Sequence, residues 1–181
     1  VEQELKTVIE RTVKALSLRP SLGQGTAITR VRLTEGLACA IEDGPWRLTA
    51  DLAAKHGGAG TGPNPGVLGR AALGSCLAIG YVMWAARFGV EFTSLEVEVQ
   101  ADYDSRGQYA VDGVPPGYSE IRYVVKVSAD APESEILRVL DEADAHSPYL
   151  DLFTNAQSVH REVHLSGGAA APTNAVSQAV P

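Results

Sequence analysis

Hydrophobic and polar positions change period several times along the chain, and each change marks an element. Over residues 2–17, Leu5, Val8, Ile9, Val13 and Leu16 recur at helical spacing. Arg19-Pro20 ends that pattern, because proline disfavours helical geometry at the residue before it. From Thr26 the period becomes two, in TAITRVRL, GLACAIED and PWRLTADL, with turn signals at Thr34-Glu35-Gly36 and Asp43-Gly44-Pro45. Three short antiparallel strands are predicted; Leu37, Cys39 and Ile41 share a face, so Cys39 is expected to point into the core. Residues 55–66, KHGGAGTGPNPG, have no hydrophobic period and read as a loop leading into a helix. That helix contains AALGSCLAIGYVMWAA, residues 71–86, without a single charge, and is predicted to be a buried core helix.

A long two-faced strand follows in SLEVEVQADYD, with Leu95, Val97, Val99, Ala101 and Tyr103 on the apolar face and Glu96, Glu98, Gln100 and Asp102 on the wet one. RGQYAVDGVPPG connects it to YSEIRYVVKVSAD, with Ile121, Tyr123, Val125 and Val127 inward, and the two strands should pair as a hairpin. Pro132 suits a first helical turn, and Ile136, Val139, Leu140 and Ala143 form the stripe of a helix that Pro148 should close. Four residues beyond Ala143, Ser147 puts a hydroxyl on the same inward face. SVHREVHL, residues 158–165, reads as a last strand, ahead of an Ala/Gly/Pro-rich tail expected to be either disordered or docked on a partner. Grouped rather than alternating helices and strands make the class α+β. Gly69, Gly74 and Gly80 each weaken the apolar helix by about 1 kcal/mol relative to alanine, which close packing against another helix, of this chain or a second subunit, would offset.

Composition narrows the function classes. The 181 residues, 45% of them hydrophobic, suffice for one domain with extensions. With 15 Lys+Arg against 22 Asp+Glu, the net charge of -7 offers no basic surface for nucleic acid or for anionic lipid. The uncharged run 71–86 is shorter than the ~20 residues a membrane span needs and is bracketed by Arg70 and Arg87, so no membrane partner is expected. The N-terminal stretch has no apolar signal region, and a cytoplasmic location is the expectation. Two cysteines, Cys39 and Cys76, are too few for a disulfide scaffold. No Cys/His spacing implies zinc, and no Gly-Lys-Ser/Thr or GxGxxG follows the glycine loop, so no cofactor is implied.

Chemistry then falls to the thiol of Cys76, set in an apolar wall. A lone buried cysteine most often just packs, and the residues by themselves leave packing and catalysis both open. GPNPGVLGRAALGSC, the hairpin ending YVVKVSAD, and ADAHSPYLDLF at a helix end together resemble the osmotically inducible protein C and organic hydroperoxide resistance (OsmC/Ohr) family. The resemblance spans residues 25–165 and leaves 1–24 as an N-terminal helical extension and 166–181 as a tail. It implies an intertwined homodimer, antiparallel sheets wrapped around two central helices, with active sites between the subunits. It also implies reduction of organic hydroperoxides by two cysteines, of which the first becomes a sulfenic acid and the second closes a disulfide that thiol reductants reopen.

The first cysteine maps onto Cys76. The second is Ser147 here, before Pro148, and the acid that follows Asn-Pro in the family, where it holds a thiolate-stabilising arginine, is Gly66. Thiols titrate near ~8.5 in water, so a catalytic Cys76 needs a cation or donor nearby. Arg30 is the preferred candidate, with Arg32 and Arg70 behind it. Ser147 can hydrogen-bond the sulfur, and His146 beside it can serve as a base, with His56 in the glycine loop a weaker case. His160 and His164 share a strand face, more readily a solvated face than a metal pair. A sulfenic acid on Cys76 would be resolved by an external thiol, or less readily by Cys39. Three readings follow: a one-cysteine peroxidase acting on apolar organic hydroperoxides in oxidative-stress defence; a hydrolase or thiol transferase acting on an electrophilic small molecule; and a non-catalytic dimer that binds a lipophilic ligand.

Overall fold

The computed structural model of the chain describes residues 2–166; the tail predicted at 166–181 lies outside the described residues but for its first residue. The elements run α1 (Glu2–Leu18), β1 (Arg30–Leu33), β2 (Cys39–Asp43), β3 (Trp46–Ala50), α2 (Pro65–Phe88), β4 (Phe92–Tyr103), α3 (Ser105–Gln108), β5 (Tyr118–Ala129), α4 (Glu133–Ala145) and α5 (Pro148–Thr154). The class is α+β, with a three-stranded antiparallel sheet β1-β2-β3 and the two-stranded hairpin β4-β5.

The hairpin carries the core because its alternation is real. Leu95, Val97, Val99, Ile121, Tyr123 and Val125 pack on Leu73, Leu77 and Tyr81 of α2, and Ala143 of α4 closes the cluster. In-register pairs such as Val97 opposite Val125 and Val99 opposite Tyr123 set neighbouring apolar side chains side by side. On the wet face Glu96 meets Lys126 at 2.7 Å and Asp102 meets Arg122 at 2.7 Å. A register shift between Asp102 and Tyr103 turns the strand end, so Tyr103 is 69% exposed rather than inward as its parity predicts.

Helix α2 starts where Asn64 caps it, its Oδ1 accepting from the Val67 amide at 3.0 Å, with Pro65 in the first turn. It stops at Gly89, whose φ of 72° is left-handed. Its 24 residues are, by length and composition alone, apolar enough to cross a membrane, which the 71–86 run understated. Yet Leu73, Leu77, Tyr81 and Ala85, each four apart, lie buried in the chain's own core. The expectation of a buried core helix holds for one side only: Ile79 is 61% exposed, and Val82 and Met83 are exposed too, because the hairpin, α1, α4 and α5 leave part of its circumference open. Gly74 lies against Val99 of β4 and Gly80 against Ala143 of α4, so close approach offsets two of the three helical glycines.

Three further expectations change. The β1-β3 sheet has no sealed inner face: Val31, Leu33, Trp46 and Leu48 are exposed and Cys39 is only half-buried, since among the described residues no other element packs extensively on the sheet. Residues 158–165 form no strand, because they find no hydrogen-bonding neighbour among the described residues, and Val159 and Leu165 stay exposed. Pro148 does not merely close α4; it opens α5, occupying the first turn after Ser147.

Candidate active site

Cys76 and Ser147 lie 71 residues apart in sequence and meet where α5 crosses α2. Cys76 is half-buried on α2. Ser147 is 6% exposed and is the N-cap of α5, its Oγ accepting from the Leu150 amide at 3.3 Å. That same Oγ stands 3.5 Å from Cys76 Sγ. With a lone pair committed to the Leu150 N–H, the hydroxyl has its proton free to direct at the sulfur. Ser147 is buried as the stripe of α4 predicts, but as the cap of the next helix and not as a continuation of α4.

Behind this pair sits a second cluster that sequence patterning missed. Asp144, in the last turn of α4, accepts from Tyr81 OH at Oδ1 and Tyr123 OH at Oδ2, each at 2.7 Å. Burial, and then the bond to Asp144, pushes Tyr123 up to about 12 and Tyr81 well above the ordinary phenol range. The Asp144 carbonyl accepts from the Ser147 amide at 3.2 Å, so the acid is joined directly to the cap. The available signal was two tyrosines on apolar faces, since a buried phenol requires a partner.

Other candidates are placed apart from the thiol. His146 donates from Nδ1 to the Glu142 carbonyl at 2.8 Å and its ring lies 4.9 Å from that of Trp84, with most of the side chain in solvent. Arg70 donates to Tyr118 OH at 3.2 Å, beside an open groove of about 330 Å³ whose walls include Val67, Gly74, Val97 and Val99. A side chain at position 66 would crowd Tyr118 OH and Arg70. Arg32 pairs with Glu42 at 2.7 Å. Arg30, on the exposed β1, has no side-chain partner among the described residues. Cys39 Sγ points to the Leu37 carbonyl at 3.8 Å, on β2. His56 lies exposed in the 3-10 turn Ala54–His56. His160 contacts Ser158 and His164 contacts Glu162; among the described residues no three metal-ligating side chains converge.

The glycine loop is organised by a residue that the motif reading passed over. Asp51, 2% exposed, accepts from the amides of Leu52, Ala59 and Thr61 and from the Thr61 hydroxyl. These bonds, that of the Thr61 amide foremost, hold its carboxyl below the usual carboxylate range. Gly58 and Gly62 are required there: a Cβ at either would collide with the carbonyl of Leu52 or of Thr49. The loop is thus a rigid lead-in to the Asn64 cap, and through it to the helix that bears Cys76.

The family model of OsmC-like proteins matches residues 57–162 of this chain, from the glycine loop through α5. The chain belongs to the OsmC-like protein family. The matched stretch includes both Cys76 and Ser147, whereas α1 and the β1-β3 sheet precede it. No curated protein matches this OsmC-like chain by sequence. Among solved structures it resembles an OsmC-like protein from Mycoplasma pneumoniae, with a TM-score of 0.63 and 16% identity over 72% of this chain and 89% of that one. It also resembles a putative osmotic stress induced and detoxification response protein from Psychrobacter arcticus, with a TM-score of 0.57 and 14% identity over 71% and 89%. A third is the organic hydroperoxide resistance protein OsmC from Legionella pneumophila, with a TM-score of 0.52 and 15% identity over 71% and 89%. At these identities the likeness is one of fold.

Proposed function

We propose that this OsmC-like chain is a thiol-dependent reductase of apolar organic hydroperoxides that works with one cysteine, Cys76. The observation that carries the reading is the 3.5 Å approach of the capped Ser147 hydroxyl to the Cys76 sulfur. A hydroxyl oriented toward sulfur favours the thiolate over the thiol, and the thiolate is the nucleophile. The thiolate attacks the terminal peroxide oxygen, the O–O bond breaks, and the alkoxide takes a proton and leaves as an alcohol. The sulfur, oxidised, is now a sulfenic acid. An external thiol then forms a mixed disulfide with Cys76 and releases water; a second thiol releases the external disulfide and restores the Cys76 thiol. Ser147 cannot take the place of either thiol, and Cys39, on β2 with its Sγ toward the Leu37 carbonyl, is the less ready partner, so in this reading the reductant comes from outside the chain.

Membership of the family supports this chemistry, as does the likeness in fold to the organic hydroperoxide resistance protein OsmC of Legionella pneumophila. The test uses a Cys39→Ser protein, in which Cys76 is the sole thiol, exposed to cumene hydroperoxide and followed by mass spectrometry. Gain of one oxygen at Cys76 far faster than at free cysteine, and turnover with dithiothreitol, are expected. Oxidation no faster than that of free cysteine rejects the reading and leaves a packed thiol in a ligand-binding protein.

The working unit in this reading is a homodimer. The exposed apolar side chains of α2, Ile79, Val82 and Met83, and of the open sheet, Val31, Leu33, Trp46 and Leu48, support that reading, since apolar surface left in water is what a second copy would cover. Arg30, unpaired among the described residues, alternates with Val31 and Leu33 and so lies on the other face of that sheet, beside Glu42 and Arg47. Ile79→Lys would place a charge in the interface, and sedimentation velocity should report a monomer; a dimer of undiminished affinity would refute this arrangement.

A further inference from the structure

The Tyr81–Asp144–Tyr123 cluster has no part in the chemistry just described, yet it adjoins it on both sides. Tyr81 is on α2, five residues beyond Cys76, and is 0% exposed. Asp144 is three residues before Ser147 and accepts the Ser147 amide on its own carbonyl. Tyr123 adds the hairpin as a third anchor. The last turn of a helix ordinarily frays, since its carbonyls lack partners. Here the last turn of α4 is fastened by one carboxylate to the helix carrying the thiol and to the strand beneath it. The chain then turns at His146, and the next residue is the cap whose hydroxyl faces the sulfur.

We propose that Asp144 is a positioning residue: by gripping the phenols of Tyr81 and Tyr123 it holds the Ser147 hydroxyl at donor distance from Cys76, and so sets the reactivity of that thiol. The inference rests on the reading of Cys76 and Ser147 given above. A fastening that served stability alone would leave the thiol's titration to its local surroundings. A fastening that positions Ser147 acts on the thiol only while the hydroxyl is there.

The experiment is a double-mutant cycle read by the pH dependence of iodoacetamide alkylation of Cys76, in full-length Cys39→Ser protein. Ser147→Ala is expected to raise the midpoint, through loss of a hydrogen bond to the charged form. Asp144→Asn, close to isosteric, should raise it comparably while Ser147 is present and give no upward shift in the Ser147→Ala background. The sign is informative, because removing a nearby negative charge by itself favours the thiolate and lowers the midpoint. A downward shift with Ser147 present, or the same shift in both backgrounds, overturns the positioning role and leaves the Cys76–Ser147 reading intact. No effect of Ser147→Ala overturns that reading and the inference with it. Should Asp144→Asn not fold, Tyr123→Phe removes one phenol and no charge and enters the same cycle with the same expectations.

Discussion

Replacing Ser147 with cysteine tests the meeting of α5 and α2 directly. The two side-chain tips stand 3.5 Å apart, and a disulfide needs its sulfurs at about 2.05 Å. The longer C–S bond closes part of that gap, and a modest rotamer adjustment, costing about 1 kcal/mol, closes the rest. The reduced Ser147→Cys protein loses the cap on the Leu150 amide and should be less stable than wild type by about 1 kcal/mol. Oxidation joins residues 71 apart in sequence, and for a loop of that length the chain-entropy model gives about 4 kcal/mol of stabilisation. After the cap loss and strain are subtracted, the oxidised variant should exceed wild type by about 2 kcal/mol, or about 4–8 °C in Tm for a chain of this size. Stoichiometric cumene hydroperoxide should therefore consume two thiols per chain in a Cys39→Ser background, with a matching rise in Tm that dithiothreitol reverses. If peroxide instead takes Cys76 on to the sulfinic acid while the new thiol remains titratable, the placement of α5 against Cys76 is refuted.

Two further outcomes follow from the packing and the loop. Val139, 0% exposed between α4 and α2, leaves a cavity when cut to alanine; a loss of about 2 kcal/mol is expected in urea unfolding, and a change below about 0.5 kcal/mol would contradict its burial. Because the folded protein holds the Asp51 carboxyl below its ordinary range, the stabilisation it brings is present above the ordinary carboxylate pKa, near ~4, and is lost as pH falls through the folded value. Asp51→Asn should flatten the acid limb of the stability profile and speed hydrogen exchange at the Ala59 and Thr61 amides; unchanged exchange there would show that the loop does not depend on Asp51.

What could be read from the sequence divides along a physical line. Alternation in 94–104 and 118–130 reports a sheet with one wet face, and β4 and β5 follow it closely because both faces are defined within the chain. The same alternation in 26–52 correctly yields β1, β2 and β3 yet misjudges their burial, because period two marks which residues share a face and not what covers it. Residues 158–165 go further astray, since a strand is a pairing and periodicity carries no record of a partner. In α2 the run is apolar all round, so the buried side, Leu73, Leu77 and Tyr81, could not be told from the open side, Ile79 and Met83. Helix α5 was announced by Ser147-Pro148, a cap followed by a first-turn proline, but proline read as a stop conceals proline acting as a start.

The site itself was legible only in part, and for the same reason. Cys76 stood out because it is the lone strong nucleophile in an uncharged run, and the family resemblance, not local spacing, coupled it to Ser147. Asp144 did not stand out, because its two phenol partners come from 63 and 21 residues away and leave no local signature beside an ordinary helix end. Asp51 is the milder case: its partners are Leu52, Ala59 and Thr61, within one loop, and an acid that closes a strand ahead of a glycine-rich turn has amides to receive. In both places a carboxylate that looks solvent-bound in sequence gathers several donors and fixes the backbone next to the thiol's helix. A candidate nucleophile in this chain is therefore easier to find than a candidate positioning residue, since a nucleophile is conspicuous by its own chemistry and a positioning acid only by what it touches.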